Sequence, residues 1–257
     1  MNAQLIDTHC HLYSKEFASD IAAAITRAEE EGVKQFYLPA VDSESHEAML
    51  KLEATYPGKC IAMMGVHPCS IQAGYETELK LAEEWLGKRK FAAVGEIGLD
   101  YYWDRSFDKE QKIAFHRQIE WALHYQLPIV IHSRESMEDS IAIVKEHQNG
   151  NLKGIFHCFG GSAEMAAKIT DLGLYLGIGG VLTYKKSGLA EALQHIPLEH
   201  LVLETDAPYL APVPFRGKRN ESSYLKYVVD KLAEVKNCSR DEIAAITTAN
   251  AQKIFGS

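Results

Sequence analysis

The chain's first chemistry lies near its start, where His9 and His11 stand one residue apart. Side chains of a strand alternate between faces, so residues two apart project the same way and both imidazoles can reach one ion. An H-x-H pair by itself is a weak signal. It gains force from Glu96, His132, His157 and Asp206, each a metal-ligand type at or just past the C-terminal end of its own expected strand. Six nitrogen and oxygen donors exceed the needs of one tetrahedral zinc. They suit two divalent cations about 3.5–4 Å apart, able to activate a water for hydrolysis. Four imidazoles favour Zn²⁺ or Mn²⁺ over Mg²⁺, which prefers oxygen, although the carboxylates leave room for Mg²⁺ at a labile second position. Asp206 is the carboxylate best placed both to ligate and to take a proton from the attacking water.

Other residues near the same strand ends offer substrate contacts. Arg134 shares the parity of His132, and its planar fork suits a phosphate or carboxylate; a surface salt bridge is the equal alternative. His67, ending the third strand, could donate to a substrate or to a group that positions a ligand. Glu204 shares parity with Asp206 and either orients a ligand histidine or forms a structural ion pair. Tyr101, Tyr102 and Trp103 either stack nucleobases or pack under a loop. Arg216, Lys218, Arg219 and Asn220 make a short loop that contacts phosphate or is simply solvated. His46, His116, His124, His147, His195 and His200 fall in helices or at their ends and read as surface residues. Cys10 and Cys158 alternate with ligand positions and read as core thiols.

The elements that must position these groups are short apolar runs separated by helical stretches. Strands are expected at 4–10, 34–40, 60–66, 91–97, 128–132, 153–158, 174–179 and 201–205, rich in Val, Ile and Leu as parallel strands covered on both faces are. Between them, Leu79, Ala82 and Leu86 share one helical face, as do Phe115, Ile119 and Ala122. Asp108 with Gln111 and Ser239 with Glu242 mark helix starts. Eight such repeats in 257 residues predict an α/β protein, a (β/α)₈ TIM barrel forming one domain over 1–257, with an open doubly wound sheet as runner-up. Active sites of such barrels sit where the C-terminal strand ends converge. The stretch 206–220, with Pro208, Pro212 and Pro214, is expected to be an irregular functional loop.

Composition bounds the partners. A net charge of −8 excludes a wholly basic nucleic-acid coat but not a local basic patch. Five cysteines, an odd number without a C-x-x-C, suit a reducing compartment. With no apolar run long enough for a membrane span and no basic-then-apolar leader, a cytoplasmic location is expected. No feature calls for an obligate protein partner.

Taken together, DTHCHL (7–12), GVHP (65–68), GEIGLDYY (95–102), IHSR (131–134), HCFGGS (157–162) and ETDAPYLAP (204–212) resemble the TatD family of metal-dependent hydrolases, within the amidohydrolase-like barrels. The resemblance runs through nearly the whole chain in the family's order. It implies a TIM barrel, a divalent metal site and hydrolase activity. By position His9, His11, Glu96, His132, His157 and Asp206 match the family's ligands, with Glu96 bridging two ions. It further implies a 3′–5′ exonuclease acting on DNA ends, with RNA as a second possible substrate. The alternative is hydrolysis of aminoacyl-tRNA esters or small acyl or phosphoesters at the same metals.

Overall fold

The computed structural model describes residues 4–256. Its eight strands are β1 (Leu5–Asp7), β2 (Val33–Pro39), β3 (Cys60–Met63), β4 (Val94–Asp100), β5 (Ile129–Arg134), β6 (Gly154–Phe156), β7 (Tyr175–Ile178) and β8 (Leu201–Leu203). They alternate with α1 (Ile21–Glu30), α2 (Ser43–Thr55), α3 (Tyr75–Lys88), α4 (Asp108–Tyr125), α5 (Met137–His147), α6 (Ala163–Asp171), α7 (Leu189–Leu193) and α8 (Leu225–Lys236), and α9 (Arg240–Phe255) ends the described chain. The strands pair in parallel, in the orders β1-β2-β3 and β4-β5-β6-β7-β8.

Both seams between these ladders are bonded. Met64 bridges Val94 in parallel, and the Gly95 amide donates to the Met64 carbonyl at 3.0 Å. On the far side Thr8 donates to the Leu203 carbonyl at 3.0 Å and Asp206 to the His9 carbonyl at 2.9 Å. Asp7, fully buried, ties the same seam: its carboxyl accepts from the Thr205 amide (2.9 Å), the Thr205 hydroxyl (2.6 Å) and the Ser222 hydroxyl (2.6 Å). An open doubly wound sheet has two free edges; here first and last strands meet, and the architecture is a (β/α)₈ barrel.

The interior is read from one cluster. Ile6, Tyr37, Met63, Ala93, Val130, Ile155, Tyr175 and Val202 come from or adjoin each of the eight strands and pack together with Ala251 and Ile254 of α9. Two residues further along their strands, Val130, Ile155 and Val202 give way to His132, His157 and Glu204. The period of two thus lifts the interior from an apolar layer to a polar one. On β7 the equivalent position is Gly177, where a Cβ would lie 2.1 Å from Glu204 Oε2, so only glycine leaves room for that carboxylate inside the barrel.

Several element boundaries depart from expectation. β4 runs to Asp100 rather than stopping at 97, and its register skips Glu96: Gly95 faces Val130 while Ile97 faces Ile131. This bulge turns Glu96 from within the strand, not from its end, and Asp100 becomes the terminal residue. Gly98, at φ 137°, passes so close to β5 that a Cβ would meet the His132 carbonyl oxygen at 2.0 Å. Gln111 does not cap α4, which begins at Asp108 with no side-chain cap. Its amide grips Asp100 instead, accepting from the amide at 2.9 Å and donating to the carbonyl at 3.2 Å. Ser239 does cap α9, accepting from the Glu242 amide at 3.1 Å. The segment 206–220 has neither helix nor strand. All five cysteines are free, and no helix among the described residues is long and apolar enough to cross a membrane.

An ion network fastens α1 to the segment between β8 and α8. Arg27 forks onto Glu221 at 2.6 and 2.9 Å and reaches Asp20 at 3.1 Å, while Arg219 binds Asp20 at 2.6 and 2.8 Å. Glu221 is buried; burial would raise its carboxyl, but Arg27, Ser223 and Arg219 together hold it below the usual range. Arg27→Ala is expected to cost about 2 kcal/mol, less than a fully buried pair because Arg27 is partly exposed. A carboxyl lowered on folding stabilises above its unfolded value and loses that effect as pH falls through the folded one. Urea melts should therefore show the wild-type advantage over Arg27→Ala at neutral pH and its disappearance in acid.

Candidate metal centre

Glu96 lies at the middle of the polar layer, 3% exposed, with its two oxygens facing different imidazoles. Oε2 stands 3.2 Å from His9 Nε2 and 3.7 Å from His11 Nε2. Oε1 stands 2.9 Å from His157 Nε2 and 2.9 Å from His132 Nδ1. Asp206 joins the first group, its Oδ1 3.7 Å from His9 Nε2 and 3.5 Å from His11 Nε2. The six residues expected as ligands are thus all brought together, in two groups sharing one carboxylate. Donors on a tetrahedral ion at about 2.0–2.1 Å lie about 3.3 Å apart. The His9 and His11 Nε2 atoms are 3.3 Å apart.

Proton positions sharpen this picture. Tyr13 donates its hydroxyl to the Pro39 carbonyl at 2.6 Å, so it accepts from His11 Nδ1 at 3.0 Å, and the lone pair of His11 Nε2 faces the centre. His132 sets Nε2 on Asp100 Oδ2 at 2.8 Å and Nδ1 on Glu96 Oε1 at 2.9 Å, so with its Nε2 proton on Asp100 it can turn the Nδ1 lone pair to a cation. His157 has Nδ1 3.3 Å from Glu204 Oε1 and Nε2 inward. These are the carboxylate, phenol and imidazole pairings that orient ligand histidines. His67 is the reverse case. Its Nδ1 accepts from the Cys69 amide at 3.1 Å, so its Nε2, 3.4 Å from Glu96 Oε1, carries the proton and points a donor into the centre. Among the described residues three overlapping groups could hold a cation: His9–His11–Asp206, His9–Glu96–His157 and His67–Glu96–His132.

Electrostatics agree with a site built for positive charge. Burial pushes the Glu96 carboxyl up, but His157, His67, His9 and the His132 hydrogen bond outweigh it and hold the group well below the carboxylate range. Asp206 is likewise lowered against burial by His11, His157 and His9. Asp100 falls to about 2, where burial is overcome by His132 and the Tyr102 and Trp103 amides. Burial keeps His9 and His67 below the usual imidazole value. Opposing burial, Glu96 and Glu204 raise His157 well above it. Two non-glycine residues with left-handed backbone sit here, Cys158 at φ 47° and Asp206 at φ 55°, as strained positions often do at functional sites.

A profile for TatD-related DNases matches residues 6–256. The chain belongs to the TatD-related DNase family. It is 40% identical over 252 residues to the uncharacterized metal-dependent hydrolase YabD of Bacillus subtilis, covering 98% of each chain. It is 33% identical over 261 residues, again 98% of each, to the 3′–5′ ssDNA/RNA exonuclease TatD of Salmonella typhimurium. The solved structure of the TatD homolog YjjV from Escherichia coli superposes with a TM-score of 0.94 at 31% identity, covering 100% of both chains. Membership of the TatD-related family makes the chain a metal-dependent hydrolase, and the donor cluster fits the metal.

The other candidates distribute unevenly. Arg134 ends β5 at the rim, exposed, with its guanidinium over Tyr102. Glu204 lies fully buried beside His157 and accepts from the Cys158 amide at 2.6 Å. Arg219 faces Asp20 and Glu221 rather than the mouth, and Asn220 is buried, donating to the Thr205 and Tyr209 carbonyls at 2.7 Å each. Cys10 is a core thiol, but Cys158 is half-buried: its left-handed backbone breaks the alternation and leaves it near the site carboxylates. His46 is buried, not a surface residue. Asp100 and Tyr13 escaped sequence reasoning, although Asp100 lies four residues past Glu96 and Tyr13 continues the alternation of His9 and His11.

Glu96→Gln, which keeps volume but removes the shared charge, is expected to strip the protein of metal after gel filtration, read by elemental analysis. Asp100→Asn should weaken retention about 10- to 100-fold in competition with a chelator, while the remote His116→Ala leaves it unchanged.

Proposed function

We propose that this chain is a divalent-metal-dependent 3′–5′ exonuclease, one barrel unit over 1–257, that removes nucleotides from the ends of single-stranded DNA, and of RNA as a second substrate. The observation that carries the reading is the buried Glu96 carboxylate with each oxygen aimed at a separate set of imidazoles. Its support comes from family membership and from the activity named for the Salmonella relative. Five free thiols suit a reducing cytoplasm.

In this reading His9, His11, Glu96 and Asp206 would hold one cation and His132, His157 and Glu96 a second, of Zn²⁺, Mn²⁺ or Mg²⁺ type. Bound there, such ions would supply a water of lowered pKa and would neutralise charge developing on the phosphoryl group. The chain's own groups do the rest. The Asp206 side chain, 14% exposed against 3% for Glu96, reaches the mouth and, being anionic, accepts the proton of the attacking water. That proton passes to the hydroxyl released when the phosphodiester P–O bond breaks. His67 donates its Nε2 proton to a phosphoryl oxygen, and the Arg134 fork binds phosphate. Arg219 is committed to Asp20 and Glu221 and takes no part in binding phosphate.

Incubation with labelled single-stranded DNA should give stepwise, chelator-sensitive release of mononucleotides. Asp206→Asn should lower kcat by about 100-fold or more while oligonucleotide binding in chelator persists. Intact DNA alongside cleavage of aminoacyl-tRNA or small acyl or phosphoesters would transfer the site to that alternative chemistry.

A further inference from the structure

The segment following β4 plays no part in the donor cluster, yet it is built with care. Tyr101 packs inward, 8% exposed, its hydroxyl on Asp139 at 2.7 Å. The next two residues do the opposite: Tyr102 is 50% and Trp103 69% exposed, set edge to face at 4.9 Å. Packing under a loop therefore accounts for Tyr101 but not for its neighbours. The Arg134 guanidinium lies 3.7 Å from the centre of the Tyr102 ring and 5.2 Å from that of Trp103. Nearby cations are neutralised, Arg105 by Asp108 at 2.7 Å and Lys112 by Asp139 at 2.6 Å. Arg134 has no carboxylate partner among the described residues. In a chain of net charge −8, an unpaired guanidinium held against two exposed rings is a feature that a ligand explains.

One carboxylate fixes this platform relative to the metal centre. Asp100 Oδ1 accepts from the Tyr102 amide at 3.0 Å and the Trp103 amide at 3.2 Å, while Oδ2 holds His132 Nε2 at 2.8 Å. Gln111 clamps the Asp100 backbone from behind. The exposed rings and an imidazole of the centre are thus secured to opposite oxygens of a single buried side chain. The geometry points to a nucleobase subsite: Trp103 stacks an unpaired base of the nucleotide at the scissile end, and Arg134 donates to that nucleotide's phosphate. Stacking on an indole is tolerant of base identity, because every base has a π-face, and it requires a base free of its duplex partner. The subsite therefore selects single-stranded or frayed ends without selecting sequence. This inference rests on the nuclease reading above and adds the element that recognises the strand.

The test separates the two. Binding of a fluorescent single-stranded DNA oligomer is measured by anisotropy at low salt in chelator, where no turnover occurs, against an oligomer whose three terminal 3′ nucleotides are abasic. Trp103→Ala should weaken binding of the ordinary oligomer about 5- to 100-fold, Trp103→Phe should restore most of it, and the abasic oligomer should bind wild type and Trp103→Ala alike. Arg134→Gln should reduce the slope of log K against log salt by about one. Equal affinity of wild type and Trp103→Ala for the ordinary oligomer, or an equal loss on the abasic one, overturns the subsite. With metal restored, wild type that shortens DNA while Trp103→Ala does so at unchanged KM also overturns it and leaves the exonuclease standing. A Trp103-dependent affinity without any DNA cleavage upholds the subsite as a binding site and removes the exonuclease instead.

Discussion

A carboxylate at the centre of a protein is costly, several kcal/mol even after relaxation, unless its charge is answered. Glu96 has five imidazole nitrogens within 3.7 Å of its two oxygens. The rest of the site follows from keeping that arrangement. The bulge in β4 aims the side chain inward, and Gly177 clears the volume for the carboxylate of Glu204 behind His157. Imidazoles that turn lone pairs inward do not answer a negative charge, and Asp206 adds a second one beside it. A cluster of this sign, buried and rich in lone pairs, is most stable with cations in it. The fold and the metal-dependence of its family are in this sense one fact.

The convergence of the six donors was legible in the sequence because each follows an apolar run, and a barrel brings the ends of such runs to one rim. Strand number and parallel pairing were legible for the same reason. What was not legible depended on departures from strict alternation or on partners distant in the chain. β4 continues three residues past its apolar run, which makes Asp100 the last residue of the strand. Cys158 leaves the alternation at a left-handed residue, which no parity argument anticipates. Arg219 was visible as a cation near the mouth, but its partner Asp20 is 199 positions away and takes its fork out of play. Gln111 had the spacing of a helix cap, and a buried backbone amide and carbonyl at Asp100 made the stronger claim on it.

Hydrogen positions divide labour within the centre more sharply than distance does. By proximity His67 belongs with the candidate ligands, sharing a group with Glu96 and His132. Yet a backbone amide occupies its Nδ1, whereas His11 and His132 give their outer protons to a tyrosine and an aspartate. Side chains alike in type and burial are thus sorted by what each touches on its outer edge: those whose outer nitrogen donates turn a lone pair inward, and the one whose outer nitrogen accepts turns a proton inward. A lone pair suits a cation and a proton suits an oxygen bearing negative charge. The arrangement therefore provides binding capacity for metal and for developing negative charge from the same residue type, with the choice made by elements outside the centre: the turn after β3 for His67, β4 for His132 and the loop after β1 for His11.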